Sequence, residues 1–491
     1  MEATSTLPNE LLLEILGHVS DKNTLRETAL ASKRFHILSN ELLYSSTSLS
    51  KANVVLFLRT LSERPSFRNL VKTLQFALKP LLSSPCCEGG SGPEVGFPAS
   101  TPKEEVMQFT SRLVKEARMP TSFPYLGVKL QLFSRHRVAD KWADSWIAAL
   151  QMGCFDAYNA LVLAMVKDVE HITLGNPGIW TYATVEAALS PASSVPQRFR
   201  RCQTVSASHG FWYSGGYTPW LYLPAMKRFY GHRITPGTYA QNAESRMLPP
   251  VSQHAIIFPH VFTAPWSIPG PTPPLQTFCI TVEVLSSAQY LRTIRALGLF
   301  RATLCTLEVT IERCATGFEY SDFPGAEEAE VEAEAESMAS SSPSSSSVHS
   351  ILSSSVPLPC WPSLASFTSL QSLKLDLVAL LSQFPRRAPE LPNVLPQPSL
   401  RSLDLIFYGL DYGGDAVADL ERHLALLLAR IHAKRDFTQL RHMRLDVQLD
   451  KYWHSTAVAS FNEKFKGERG WQARYEQAGV ATEIECQVYP K

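Results

Sequence analysis

Residues 399–407 read SLRSLDLIF. Leu400 is followed by Leu403, Leu405 and Phe407, a spacing of apolar-x-x-apolar-x-apolar that ends in steps of two. Side chains of an extended chain point to opposite faces in turn, so this spacing predicts a short strand with one buried face. The spacing recurs on both sides. Toward the C-terminus it is Leu440, Met443, Leu445, Val447 and Leu449. Toward the N-terminus it is Leu370-Leu373-Leu375-Leu377, Leu304-Leu307-Val309-Ile311 and Leu275-Phe278-Ile280-Val282. Val169-Ile172-Leu174 and Val71-Leu74-Phe76-Leu78 carry it further back.

Helix-like stretches separate several copies. Residues 288–300 lie between the copies at 275 and 304. Residues 415–433 lie between those at 400 and 440, with Val417, Leu420, Leu424, Leu427, Leu428 and Ile431 on one face. Start-to-start distances are 29, 30 and 40 residues for 275 to 304, 370 to 400 and 400 to 440. Strand, helix, strand at that period resembles an irregular leucine-rich repeat. The fixed Asn or Cys after the strand of a regular repeat is missing, and a conventional domain of βαβ units would show similar strands. Residues 142–166 read as helical, with Trp142, Trp146, Ala149 and Leu150 near one face; 452–479 suggest a last helix and EIECQVY a final strand.

The first fifty residues have a different texture. In LPNELLLEILGHV, Pro8 suits the first helical position, which puts Leu7 at the cap. Leu12, Ile15, Leu16 and Val19 then form an apolar stripe, with Leu7, Pro8 and Leu11 off it. Ser20, Asp21 and Asn23 make a turn, and TLRETALA predicts a second helix with Leu25, Ala29 and Leu30 inward. Ser32 is placed to cap a third helix carrying Phe35, Leu38 and Leu42. Three helices this short are near the limit of independent stability and need something against their spare apolar side.

LPNELLLEIL, a spacer, then LRETALASKRFHILSNELLY resembles the F-box motif. The match lies in the opening Leu-Pro, the Glu two residues on, the E-I-L triplet and the Ser-Lys-Arg-aromatic step. It covers about 40 of 491 residues. The resemblance implies a domain that binds the Skp-type adaptor of a cullin-RING ubiquitin ligase, with the rest of the chain selecting a substrate. It implies adaptor-binding roles for Leu7, Pro8, Leu11, Leu12, Ile15, Leu16, Leu25, Leu30, Ser32 and Phe35. One departure is Ala31, where the family usually has a larger apolar residue.

The expected fold is therefore α/β: an N-terminal three-helix F-box followed by an irregular leucine-rich-repeat-like α/β solenoid. The expected division is an F-box at 1–48, a first part of the scaffold at 49–323 and C-terminal repeats at 360–491. Two Gly/Ser/Pro-rich loops, about 83–102 and 264–274, interrupt the first part. Residues 324–359 pass from alternating Glu and Ala to a serine run. Few of them can bury area, so this insertion is expected to be disordered.

Composition excludes several classes. The net charge of +1 gives no global argument for nucleic acid. The nine cysteines include no C-x-x-C, so neither zinc nor a redox dithiol is expected, and a reducing, intracellular setting is the simplest reading. No run approaches the ~18 apolar residues that span a bilayer. Phosphate-loop, nucleophile-elbow and His-Glu-x-x-His patterns are missing from the sequence. Glu421-Arg422-His423 reads as a solvated helix face. The expectation is a non-enzymatic substrate receptor with no cofactor and no metal, partnered by the adaptor and, through it, cullin, and by an unknown protein substrate. A scaffold uncoupled from ubiquitination is the alternative, and an unfamiliar α/β enzyme a more distant one. The aromatic run 209–224, with Phe211, Trp212, Tyr213, Tyr217, Trp220 and Tyr222, is the candidate partner-binding loop.

Overall fold

The strands that begin at Ser372, Ser402 and His442, among others, are entered in the same way. A buried apolar residue sits three positions before the strand's first inward residue. Between them, one backbone carbonyl of the preceding strand's entrance accepts two successive amides. The carbonyl of Cys305 accepts from Gln371 (2.8 Å) and Ser372 (3.0 Å), that of Gln371 from Arg401 (2.7 Å) and Ser402 (2.9 Å), and that of Arg401 from Arg441 (2.9 Å) and His442 (3.1 Å). This repeat is what the spacing in the sequence encodes.

The computed structural model describes residues 7–76, 102–117, 142–175, 181, 184, 199–212, 218–221, 223–236, 274–282, 297–311, 364–376, 391–396, 398–409, 415–433, 436–449 and 455–488. The chain divides into two compact units, Met1–Leu275 and Gln276–Lys491. The division falls inside the span 49–323 that the sequence suggested was one part. The expected loops at about 83–102 and 264–274, all but the last residue of each, and the insertion at 324–359 lie outside the described residues.

The first unit opens with three helices, α1 (Asn9–Gly17), α2 (Lys22–Ala31) and α3 (Lys33–Ser45). Strand β1 (Ser46–Leu49) follows with no spacer, so the expected boundary at 48 falls inside a strand. Then come α4 (Val54–Glu63), β2 (Thr73–Phe76), α5 (Lys103–Glu116), α6 (Trp142–Gln151), α7 (Phe155–Met165) and β3 (His171–Leu174). The unit closes with β4 (Thr204–Trp212), the short α8 (Thr218–Leu221) and β5 (Arg228–Pro236). Strands β1 to β5 pair in sequence order, all parallel. Their inward rows are Leu74, Ile172, Val205 and Phe229, then Phe76, Leu174 and Ala207, each at most 2% exposed. Residues 142–166 are two helices rather than one, because Gly153 takes φ 70° between them. That backbone is open to glycine and strained for other residues. Every residue of α7 is buried, and it packs on α4, α5 and α6.

The second unit holds β6 (Thr277–Val282), β7 (Thr306–Ile311), β8 (Ser372–Asp376), α9 (Leu391–Val394), β9 (Ser402–Gly409) and α10 (Asp415–His432). It ends with β10 (His442–Leu449), α11 (Ser455–Lys466), α12 (Trp471–Gln477) and β11 (Ala481–Val488). These strands are also parallel and in sequence order. Leu307, Leu373 and Leu403 form one inward row with Phe278 and Met443. Val309, Leu375, Leu405 and Leu445 form the next, flanked by Ile280 and Ile484. Burying one such leucine stabilises by about 1.5–3 kcal/mol. Helix α10 sets Leu420, Leu424 and Leu427 into the core as its spacing predicted. His423 differs from expectation. It is 1% exposed, and its Nδ1 accepts the Leu391 N–H at 3.3 Å, so it fastens α9 to α10 rather than facing water. The expected single C-terminal helix is split at Gly470, where a Cβ would lie 2.8 Å from the Phe465 carbonyl.

The architecture is an irregular leucine-rich-repeat-like α/β solenoid preceded by three helices. Strands β1, β4 and β5 were not anticipated. The run 209–224, expected as a loop, contributes residues to β4 and α8.

Candidate partner-docking surface

The three N-terminal helices are closed by few residues. Leu12, Leu16, Leu25 and Leu38 are buried together, with Leu7, Leu13, Val19, Phe35, Leu42 and Leu43 half-buried around them. The ends of α2 and α3 are set by side chains. The Asp21 carboxylate accepts the amides of Asn23 (3.2 Å) and Thr24 (2.8 Å), and the Ser32 hydroxyl accepts that of Phe35 (3.2 Å). Such caps satisfy amides that the helix itself leaves without partners.

Each candidate adaptor residue can now be placed. Leu12, Leu16 and Leu25 are core. Leu7 and Phe35 pack against that core, so Leu7 does not lie off the bundle's own apolar surface as its sequence position suggested. Pro8 is exposed and occupies the cap position expected of Leu7, so the helix starts one residue later than expected, at Asn9. Leu11 is 46% exposed and Ile15 55%. They stand one turn apart on the same side of α1. Ile15 therefore leaves the inward stripe assigned to it, because the core lies on the Leu12, Leu13 and Leu16 side. Leu30, expected inward, is 85% exposed at the end of α2. Ser32 is a cap. Ile37, on α3, is 68% exposed and was not anticipated. Four large apolar side chains in this short segment thus face water.

The Asp21 cap carries a pH consequence. Chiefly the Thr24 hydroxyl at 2.7 Å, then the Thr24 and Asn23 amides, hold this carboxyl below its ordinary value of 3.8. The folded group is the stronger acid. Its contribution is therefore complete above the ordinary value and is lost as pH falls through the lowered one. Helicity followed below about pH 4 should fall more steeply in the wild type than in Asp21→Asn. Superimposable acid profiles would contradict this.

The aromatic run behaves differently. Trp220 is fully buried on α8, with its ring 6.4 Å from that of Phe199, so it fills core rather than presenting to a partner. Phe211 and Trp212 belong to β4, and Tyr213, Tyr217 and Tyr222 lie outside the described residues.

One charged row crosses the outer face of the second unit: Glu308, Lys374, Asp404, Arg444 and Glu483, in register. Lys374 pairs with Glu308 at 2.7 Å, and Arg444 with the neighbouring Glu485 at 2.7 Å. Burial raises the Asp404 pKa, and Lys374 and Arg444 act against that rise. The row alternates in sign, and half-exposed pairs of this kind contribute about 0–1 kcal/mol each. Burial pushes the Cys279 thiol beside it up to about 12, which keeps it protonated and unreactive near neutrality. Among the described residues, no group of three or more His, Cys, Asp or Glu could hold a metal ion, and no helix is long and apolar enough to cross a membrane.

No protein-family model matches this chain, and no curated protein matches it.

Proposed function

We propose that this chain is a substrate receptor of an SCF-type cullin-RING ubiquitin ligase. Residues 7–45 act as an F-box that docks to the Skp-type adaptor, and the solenoid holds a target protein. The observation that carries the reading is the outward placement of Leu11, Ile15, Leu30 and Ile37 on helices whose core is already closed by other leucines. Four large apolar side chains held in water on so short a segment fit a partner surface. The spacing of the F-box pattern agrees with that placement. The chain's role is then to raise the effective concentration of the target near the ligase, with the bond-forming chemistry on other subunits.

The test is a titration of the full-length chain with a purified Skp-type adaptor. A one-to-one complex with a Kd on the order of 1 μM or tighter is expected. Failure to form a complex would sink the proposal. A scaffold role would instead leave the half-life of every co-purifying partner unchanged when adaptor binding is abolished.

A further inference from the structure

Helix α1 lacks what its two neighbours have. Its cap position is Pro8, which makes no side-chain cap hydrogen bond. Its beginning is held from α3. Arg34 reaches back 25 residues to donate from Nε to the Asn9 side-chain oxygen at 2.8 Å. It also donates from Nη2 to the Leu7 carbonyl. Pro8 is thus pinned between two acceptors of one guanidinium. The Ser32 cap fixes the first turn of α3 and so the direction from which Arg34 extends. Arg34 itself is only partly exposed.

We propose that Arg34 is a positioning residue for the docking surface, acting through Leu7 and Asn9. The inference rests on the F-box reading above. Pro8 and Leu11 lie in or beside the first turn of α1, where intrahelical amide bonds are fewest. The hydrogen bond from the Leu12 amide to the Pro8 carbonyl, at 3.2 Å, is the first that α1 makes. Without the guanidinium, Leu12 and Leu16 still hold the helix to the core, but its first turn frays. Pro8 and Leu11 must then be ordered during binding, and that cost appears as lost affinity. A lysine keeps the charge but not the planar fork that reaches two acceptors, so it does not substitute fully.

Two measurements on the full chain test this. Amide exchange in the unbound protein reads the clamp without any partner. Arg34→Ala should speed exchange of the Leu12 amide by about tenfold or more, leaving the core amides of α2 and α3 unchanged. Titration with the Skp-type adaptor should show Arg34→Ala weakened about tenfold, Arg34→Lys weakened less, and the melting temperature little moved. Asn9→Ala, which removes one acceptor and cannot disrupt the core, should weaken binding in the same direction and non-additively with Arg34→Ala. If Leu12 exchange is unchanged, the clamp is overturned whatever the adaptor does. If exchange rises while affinity holds, the positioning role is overturned. If the wild type itself does not bind adaptor, the F-box reading falls, and the positioning role falls with it.

Discussion

Changing Leu11 and Ile15 together to aspartate is expected to weaken adaptor binding by at least about 100-fold while moving the melting temperature by no more than about 2 °C. The two halves of that expectation have separate causes. Both side chains are about half exposed in the free chain, so replacing them removes little from the core. Exposed substitutions of this kind usually change stability by about 0.5 kcal/mol or less. In a complex the same atoms would be desolvated, and central apolar anchors of an interface cost about 2 kcal/mol or more when removed. Two anchors at about 1.4 kcal/mol each already give 100-fold, and a buried carboxylate adds to that. Leu12→Asp is the matching control. Leu12 is 4% exposed within the core cluster, so that variant should lose both the helices and the complex. If the exposed pair also melted the chain, those residues would be holding the fold rather than a partner.

The second large effect lies far from the helices. Phe437 is 2% exposed and sits five residues before the start of strand β10, with φ at 56°. Its carbonyl accepts the Leu440 amide at 3.0 Å, which turns the chain into the strand. Phe437→Ala should cost about 3–5 kcal/mol, as other buried phenylalanines do. The comparison with Phe437→Gly is more telling. A left-handed backbone costs a residue with a Cβ roughly 1–2 kcal/mol, and glycine is relieved of that. Glycine should therefore be no less stable than alanine here, although it removes more side chain. Urea unfolding of the two variants decides it. Alanine clearly more stable than glycine would mean that the positive φ carries little strain. Phe199, at φ 60° and fully buried before β4, is the parallel position in the first unit.

Those two phenylalanines also explain what could be read from the sequence. Seven of the strands announce themselves because both inward positions carry large apolar residues, as Leu403 and Leu405 do. Strand β4 does not, because its inward positions include Ala207, and β5 does not, because Gly231 occupies the matching place. Strand β1 has a single buried apolar residue, Leu49. The aromatic turn before the strand was the missing signal: Phe199, Phe367 and Phe437 each stand three residues ahead of a buried Cys202, Leu370 or Leu440. The three N-terminal helices were legible in outline, but the facing of their side chains was not. Periodicity counts apolar residues but does not say which arc of a helix meets its neighbours. Leu30 and Ile15 were therefore turned inward, and Ile37 was passed over. Arg34 could not be singled out from spacing, since its acceptors lie 25 and 27 residues away.

The direct passage from α3 at Ser45 into β1 at Ser46 limits how the protein can be taken apart. Cutting off the helices at 48 removes most of β1 and leaves the backbone of Thr73–Phe76 without one of its two neighbouring strands. An unpaired parallel edge is a template for other chains. A truncated fragment would acquire a new margin at the same moment as it lost the three N-terminal helices. Its partners would then report the new margin as much as the missing helices. Residue-by-residue surface changes avoid creating that margin, and the same junction makes proteolytic nicking there a route to self-association rather than to a clean, separate scaffold.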